Sequence, residues 1–142
     1  MIDEWITYYK NFDIDKTLNR VLKNIEKKIQ LYNKEQLEKK GIRSDNTQVQ
    51  PPYTPLTVKI KRSKGQTTSH VTLQDKGDFY KGFYIMYQKD RFQLYSSDGK
   101  TQKLIKKYGE NIFGLTDDNI TAMIWADLYN ALLNDINIDI RK

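Results

Sequence analysis

The chain has 142 residues, 38% hydrophobic, 12% aromatic and 30% charged, which suits one packed domain and not a disordered chain. A domain of this length buries roughly 68–70% of its unfolded surface and needs no disulfide or metal staple. With no Cys and one His (His70), the composition argues against thiol nucleophiles, Cys-ligated zinc, iron–sulfur centres, Ser–His or Cys–His catalysis and a disulfide-stapled secreted scaffold.

The net charge of +6 is unevenly placed: residues 1–64 hold 14 Lys/Arg against 8 Asp/Glu, and residues 65–142 hold 10 of each. The excess in the first half serves solubility, or contact with an acidic surface or nucleic acid. The N-terminus, Met-Ile-Asp-Glu-Trp, has acids where a signal peptide needs Lys or Arg, and no apolar run approaches the ~18–20 residues of a membrane span. A soluble protein made in a cytoplasm, with no membrane partner, is expected.

Ile2, Trp5, Ile6 and Tyr9 fit a short amphipathic helix over residues 1–12. With Tyr8 and Phe12 they form an aromatic cluster that either packs back on the body or docks as an arm on a neighbour. Asp13 or Asp15 caps the next helix, near 15–40, whose apolar face is Leu18, Val21, Leu22, Ile25, Ile29 and Tyr32. Lys, Glu, Asn and Gln fill its opposite face. Lys39 and Lys40 suit the negative end of its dipole, and Gly41 supplies a left-handed stop.

Residues 42–70 carry no helical period and read as a long basic loop. Ser44-Asp45-Asn46 makes a turn, Pro51, Pro52 and Pro55 favour extended backbone, and Thr57, Val58 and Ile60 suit a short strand. Lys59, Lys61, Arg62 and Lys64 put four positive charges within six residues. They suit phosphates, a solvated strand edge, or an acidic neighbour in an assembly, and the absence of interleaved aromatics favours the last two. Such a polar, Pro-rich run is expected to be ordered only by a partner.

Val71, Thr72 and Leu73 suit a strand, and Asp75-Lys76-Gly77-Asp78 a turn in which Asp75 accepts a backbone amide. Phe83, Ile85 and Tyr87 alternate with Tyr84 and Met86, and Phe92 and Leu94 with Gln93 and Tyr95, the pattern of an antiparallel hairpin. A helix of two turns is expected from Thr101 to Tyr108, stopped by Gly109. Thr116 caps the last helix, with Asp117 and Asp118 at its positive end. Its stripe is Ile120, Met123, Ile124, Leu128, Leu132 and Ile136, with Trp125 beside it. Ile136 to Ile140 then switches to period two, as in a final strand. The sum is an α+β domain over residues 1–142: an antiparallel sheet packed against a long N-terminal and a long C-terminal helix.

Catalytic motifs are missing: there is no GxSxG elbow, GxxxxGK[ST] loop, GxGxxG or HExxH. Asp75 and Asp78 are explained by a turn, His70 as a surface residue entering a strand, and Asp117 and Asp118 as helix-end charges. Neither an enzyme nor a cofactor is expected.

Pro52-Tyr53-Thr54-Pro55-Leu56-Thr57, followed by Lys61 and Gly65-Gln66, and then Val71-Thr72-Leu73-Gln74-Asp75-Lys76-Gly77-Asp78-Phe79, resemble motifs of a tailed-phage family. These are the small virion-morphogenesis proteins of the neck and tail (tail-completion, head–tail joining or minor tail proteins), and the second run is similar to their TL-x-DTG-x-[LF] stretch. Tyr108-Gly109 and Ile112-Phe113-Gly114-Leu115-Thr116 resemble the family's late glycine and its RPFLGLS segment. Lys76 stands where the family prefers Thr, and Asn111-Ile112 where Arg-Pro is common, which leaves the branch and the station in the particle open. The resemblance covers residues 51–133. It implies a non-enzymatic structural subunit of a phage or prophage virion, assembled in the host cytoplasm. It would form a homo-oligomeric ring that contacts a connector, portal-proximal ring or tail tube. Leu56, Thr57, Asp75, Gly77, Phe79, Tyr108, Gly109, Phe113, Gly114 and Leu115 would carry the motif. Trp5, Tyr9, Lys59, Lys61, Arg62 and Lys64 are the candidate interface, and a basic rim would tolerate passing genome DNA. The alternative from the charge alone is a nucleic-acid-binding module using the basic first half.

Overall fold

A computed structural model describes residues 14–88 and 91–141. The aromatic N-terminal segment, with Trp5 and Tyr9, and the cap position Asp13 lie outside the described residues. The chain is α+β, with a two-stranded antiparallel sheet and a long C-terminal helix.

The first helical run is α1, Ile14–Asn24, followed after Ile25 by α2, Glu26–Glu38. Its apolar face is as expected: Val21, Leu22, Ile25 and Ile29 are buried. Two residues of the supposed polar face, Asn33 and Gln36, are buried as well. Gly41, at φ +65°, ends the helix, and its N–H donates to the Leu37 carbonyl (3.0 Å).

Residues 42–70 contain a helix and internal hydrogen bonds where one long loop is expected. Arg43 N–H donates to Thr47 O (2.7 Å), Ser44 N–H to Asn111 O (2.8 Å), and Ile42 bridges Gln48. The expected strand at Thr57–Ile60 is instead α3, Pro55–Ser63. Thr54 caps it, its Oγ1 accepting from the Thr57 N–H, with Pro55 at the first helical position, where a missing N–H costs nothing. Capping chemistry outweighed the β-branched Thr57, Val58 and Ile60.

Val71 to Leu73 forms no strand and pairs with none among the described residues. The Thr72 N–H donates to the Tyr53 hydroxyl (2.8 Å), and the Tyr80 hydroxyl donates to the Thr72 carbonyl. Two tyrosines thus take the place of a neighbouring strand and satisfy its backbone. The turn before α4, Asp78–Lys81, does form, with Gly77 at φ +87°.

The hairpin is as expected: β1, Phe83–Tyr87, pairs with β2, Phe92–Ser96, setting Ile85 opposite Leu94 and Tyr84 opposite Tyr95. Helix α5 spans Thr101–Tyr108 and stops at Gly109 (φ +91°). A 3-10 turn, Glu110–Ile112, leads to Thr116, whose Oγ1 accepts from Asn119 N–H (3.3 Å) to cap α6, Asp117–Met123. A π-helical turn, Ile124–Leu128, joins α6 to α7, Tyr129–Arg141. The expected final strand is therefore helix; continuing a helix adds one hydrogen bond per residue, whereas a strand there would find no partner strand among the described residues. The stripe also differs: Met123 is buried and Leu128 and Leu132 are half-buried, but Ile120 and Ile124 are exposed. The wider π turn rotates the helix, turning Asp127 instead toward α2, where it accepts from Lys28 (2.9 Å) and Tyr32 (3.0 Å).

Two apolar clusters result. One joins Leu37, Val71, Leu73, Phe79, Tyr80, Phe83, Tyr108 and Ile112; the other joins Leu22, Ile25, Ile29, Ile85, Leu94, Leu115 and Met123. Helix α2 contributes to both, and Phe113 packs against both.

Candidate functional site

Of the motif residues, Asp75, Gly77, Phe79 and Tyr108 line one cleft between α3, the 71–79 segment and α5. Tyr53 enters it from the turn before α3; its hydroxyl also lies 3.2 Å from Thr72 Oγ1. Lys61, one of α3's half-buried residues, donates to the Gln74 carbonyl (2.7 Å) and Gln66 Oε1 (3.2 Å), with its ammonium 4.9 Å from the centre of the Tyr53 ring. Lys61 is therefore internal glue and not a free interface cation. Leu73, just before Gln74, takes φ +52°, left-handed backbone that a non-glycine residue adopts at a cost of about 1–2 kcal/mol.

Asp75 does not cap a backbone amide. It receives the Lys64 ammonium at 2.9 Å, while Gln66 Nε2 donates to its carbonyl (3.0 Å). The Lys64 hydrogen bond and charge hold its carboxyl below the usual carboxylate range. A cavity of about 160 Å³ remains, floored by Leu73, Phe79, Leu104 and Tyr108 and rimmed by Lys61, Asp75, Asp78, Asp98 and Lys100. Three lysines (Lys61, Lys76 and Lys100) and three aspartates (Asp75, Asp78 and Asp98) line it, so it has no single charge sign with which to hold a polyanion. No cluster of three or more metal-ligating side chains occurs among the described residues.

The second motif region, Ile112–Thr116, is gripped by the two buried polar residues of α2. Asn33 donates to the Ile112 carbonyl (3.0 Å) and accepts from the Gly114 N–H (3.1 Å). Gln36 donates to the Gly114 carbonyl (3.2 Å) and accepts from Thr116 N–H (2.9 Å) and Asn119 Nδ2 (3.0 Å). One turn of helix thus serves a strand-like segment as a β neighbour would. Phe113, held between these bonds, stacks on Tyr95 (5.2 Å) and meets Phe79 (5.7 Å) and Phe83 (5.9 Å). Leu115 is buried beside it. Gly114 has φ +107°, and a β-carbon there would lie 3.2 Å from Ser44 Cβ. Sequence reasoning singled out Gly114 and missed Asn33 and Gln36; their i, i+3 spacing on one helix was the available signal.

The two regions are tied together. Arg43 donates from Nη1 to the Tyr108 carbonyl (3.0 Å), just before Gly109. His70, expected to enter a strand, instead lies against the end of α2, donating from Nε2 to the Glu38 carbonyl (2.6 Å), with Nδ1 3.0 Å from Ser69 Oγ. Of the candidate interface cations, Lys59 and Arg62 are exposed and form no ion pair among the described residues, and Lys64 is committed to Asp75. Leu56 is 67% exposed on the same helix, and Thr57 is half-buried inside it.

In comparison with known proteins, the chain matches no family model, no curated protein and no solved structure.

Proposed function

We propose that this chain is a non-enzymatic structural subunit of a tailed-phage or prophage virion, a neck or tail-completion protein that works in a ring. One observation carries the proposal: the four sequence blocks that resemble the family are the segments on which the fold's tying contacts converge, through their own side chains or through those of Asn33, Gln36 and Arg43. Tyr53 binds Thr72, Lys61 binds Gln74, Arg43 holds Tyr108, and Asn33 and Gln36 hold Gly114. These motif contacts close within the chain, which suits a rigid building block that presents helices to its neighbours. Lys59 and Arg62, exposed and without an ion pair among the described residues, suit an acidic neighbour or the genome.

The test is to purify particles from the source organism and count this chain by mass. A fixed copy number per particle is expected, and particles that are complete without it would overturn the proposal. Lys59→Glu with Arg62→Glu should leave melting nearly unchanged and prevent incorporation. Normal incorporation with failed genome retention would assign these cations to DNA. Sharply salt-dependent DNA affinity by a chain that never enters particles would favour a nucleic-acid-binding module instead.

A further inference from the structure

Two exposed helix faces on this chain carry apolar centres and opposite charge. On α3, Leu56 and Ile60 are 67% and 47% exposed one turn apart, and the neighbouring exposed charges, Lys59 and Arg62, are both basic. On α6–α7, Ile124, Trp125, Tyr129 and Leu133 are exposed, Trp125 to 65%, and the Trp125 and Tyr129 rings lie 5.6 Å apart. From residue 108 to 140 the chain has no Lys or Arg, and Asp117 and Asp118 stand exposed at the start of this helix. Neither forms an ion pair among the described residues, whereas Asp127 and Asp135 are spent on Lys28 and Arg20. The two faces belong to different parts of the fold: α3 adjoins the cluster that holds Leu73 and Tyr108, and the C-terminal helix adjoins the one that holds Ile25 and Leu94. The π turn, Ile124–Leu128, lies within the apolar part of this face, and such turns are often kept at functional sites.

We infer that the α3 face of one copy docks on the α6–α7 face of the next, with Leu56 and Ile60 against Trp125 and Tyr129 and with Lys59 and Arg62 toward Asp117 and Asp118. Two α3 faces set against each other would bring like charges together. A contact between unlike faces is heterologous, and when its rotation closes it generates a ring. The inference rests on the ring proposal above and names its interface. Helix α3 is only about 13 Å long, so this contact is small and takes hold at high concentration or on a template.

Because the chain has no Cys, single cysteines report the contact directly. A mixture of the Ile60→Cys and Trp125→Cys chains, oxidised at high concentration or within particles, should give roughly tenfold more mixed dimer than either gives alone. One chain carrying both substitutions should give a ladder of covalent oligomers. Asp117→Lys with Asp118→Lys should abolish the mixed product, and pairing it with Lys59→Glu/Arg62→Glu on the other chain should restore it. Like-with-like dimers forming as fast as mixed ones, or no product either in solution or in particles, would overturn the inference. So would an intramolecular link in a Trp5→Cys/Trp125→Cys chain, which would give the α6–α7 face to the chain's own N-terminal segment. A ladder from a chain that is absent from particles would keep this interface and discard the virion role. A chain present in particles without the cross-link would do the reverse.

Discussion

Asn33 and Gln36 are the residues on which the central motif depends. Each is buried with both amide atoms engaged, so truncation leaves peptide groups of Ile112, Gly114 or Thr116 without partners inside the protein. Asn33→Ala and Gln36→Ala should each cost about 1–3 kcal/mol by urea unfolding. A loss below about half a kcal/mol would mean that water enters and replaces them. Gly114→Ala should cost about 1 kcal/mol or more, because positive φ and the approach of Ser44 act together. Gly77→Ala, where a β-carbon meets only the end of the Lys81 side chain, should cost the φ term alone. Equal losses at the two sites would show that Ser44 gives way. At Asp75 and Asp45 the folded carboxyl is held below its usual range, the first by Lys64 and the second mainly by the Thr47 hydroxyl and N–H. The stability these groups add is present above the unfolded carboxylate value of about 3.9 and is lost as pH falls through the folded value. Asp45→Asn should therefore flatten the acid limb of a melting-temperature profile, and an unchanged limb would remove Asp45 from it.

Among the elements, α1 and α2 are held by the apolar face that the periodicity marks. Ile25→Ala should cost about 2–5 kcal/mol, since it opens a cavity in the cluster with Ile29, Ile85 and Leu94. Leu128, only half-buried after the π turn, should cost less, and the order of the two losses tests that rotation. Trp125→Ala should change stability by less than about 0.5 kcal/mol, because its side chain stands mostly in water. A large loss would mean that the ring is buried against the body. In α3 the two neighbouring lysines separate cleanly: Lys61→Met removes the bond to Gln74 and should lower the melting temperature, while Lys59→Met should not.

For the whole molecule, burial works against high pH. It pushes the Tyr87 hydroxyl up to about 12, with the Glu26 carboxylate adding to it, and raises Tyr80 further. An acid with a raised folded pKa keeps its proton longer when folded than when unfolded. Its contribution is therefore present below about 10 and is lost as pH rises through the folded value. Tyr80→Phe, measured against the parent chain, should soften the alkaline fall in stability, whatever it costs at neutral pH through the Thr72 carbonyl.

What the sequence by itself determined was local. The α1–α2 run, the hairpin at 83–96, the helix from Thr101 to Tyr108 and the Thr116 cap all announce themselves within a few residues of chain, through a repeat of 3.6 or 2 and a stop or cap residue. Thr54-Pro55 announced α3 just as locally, but the β-branched residues after it pointed the other way. Tertiary structure decided the rest, because it depends on partners far along the chain. Whether Asn33 faces water or the Gly114 N–H is set by a segment some eighty positions away. Whether Val71–Leu73 becomes a strand turns on two tyrosine hydroxyls occupying the backbone groups that a neighbouring strand would need. Whether Trp125 joins the stripe depends on one wide turn that trades Ile124 for Asp127 against Lys28 and Tyr32. A buried polar group must find its partner wherever the fold brings one, and hydrophobic periodicity has no term for that search.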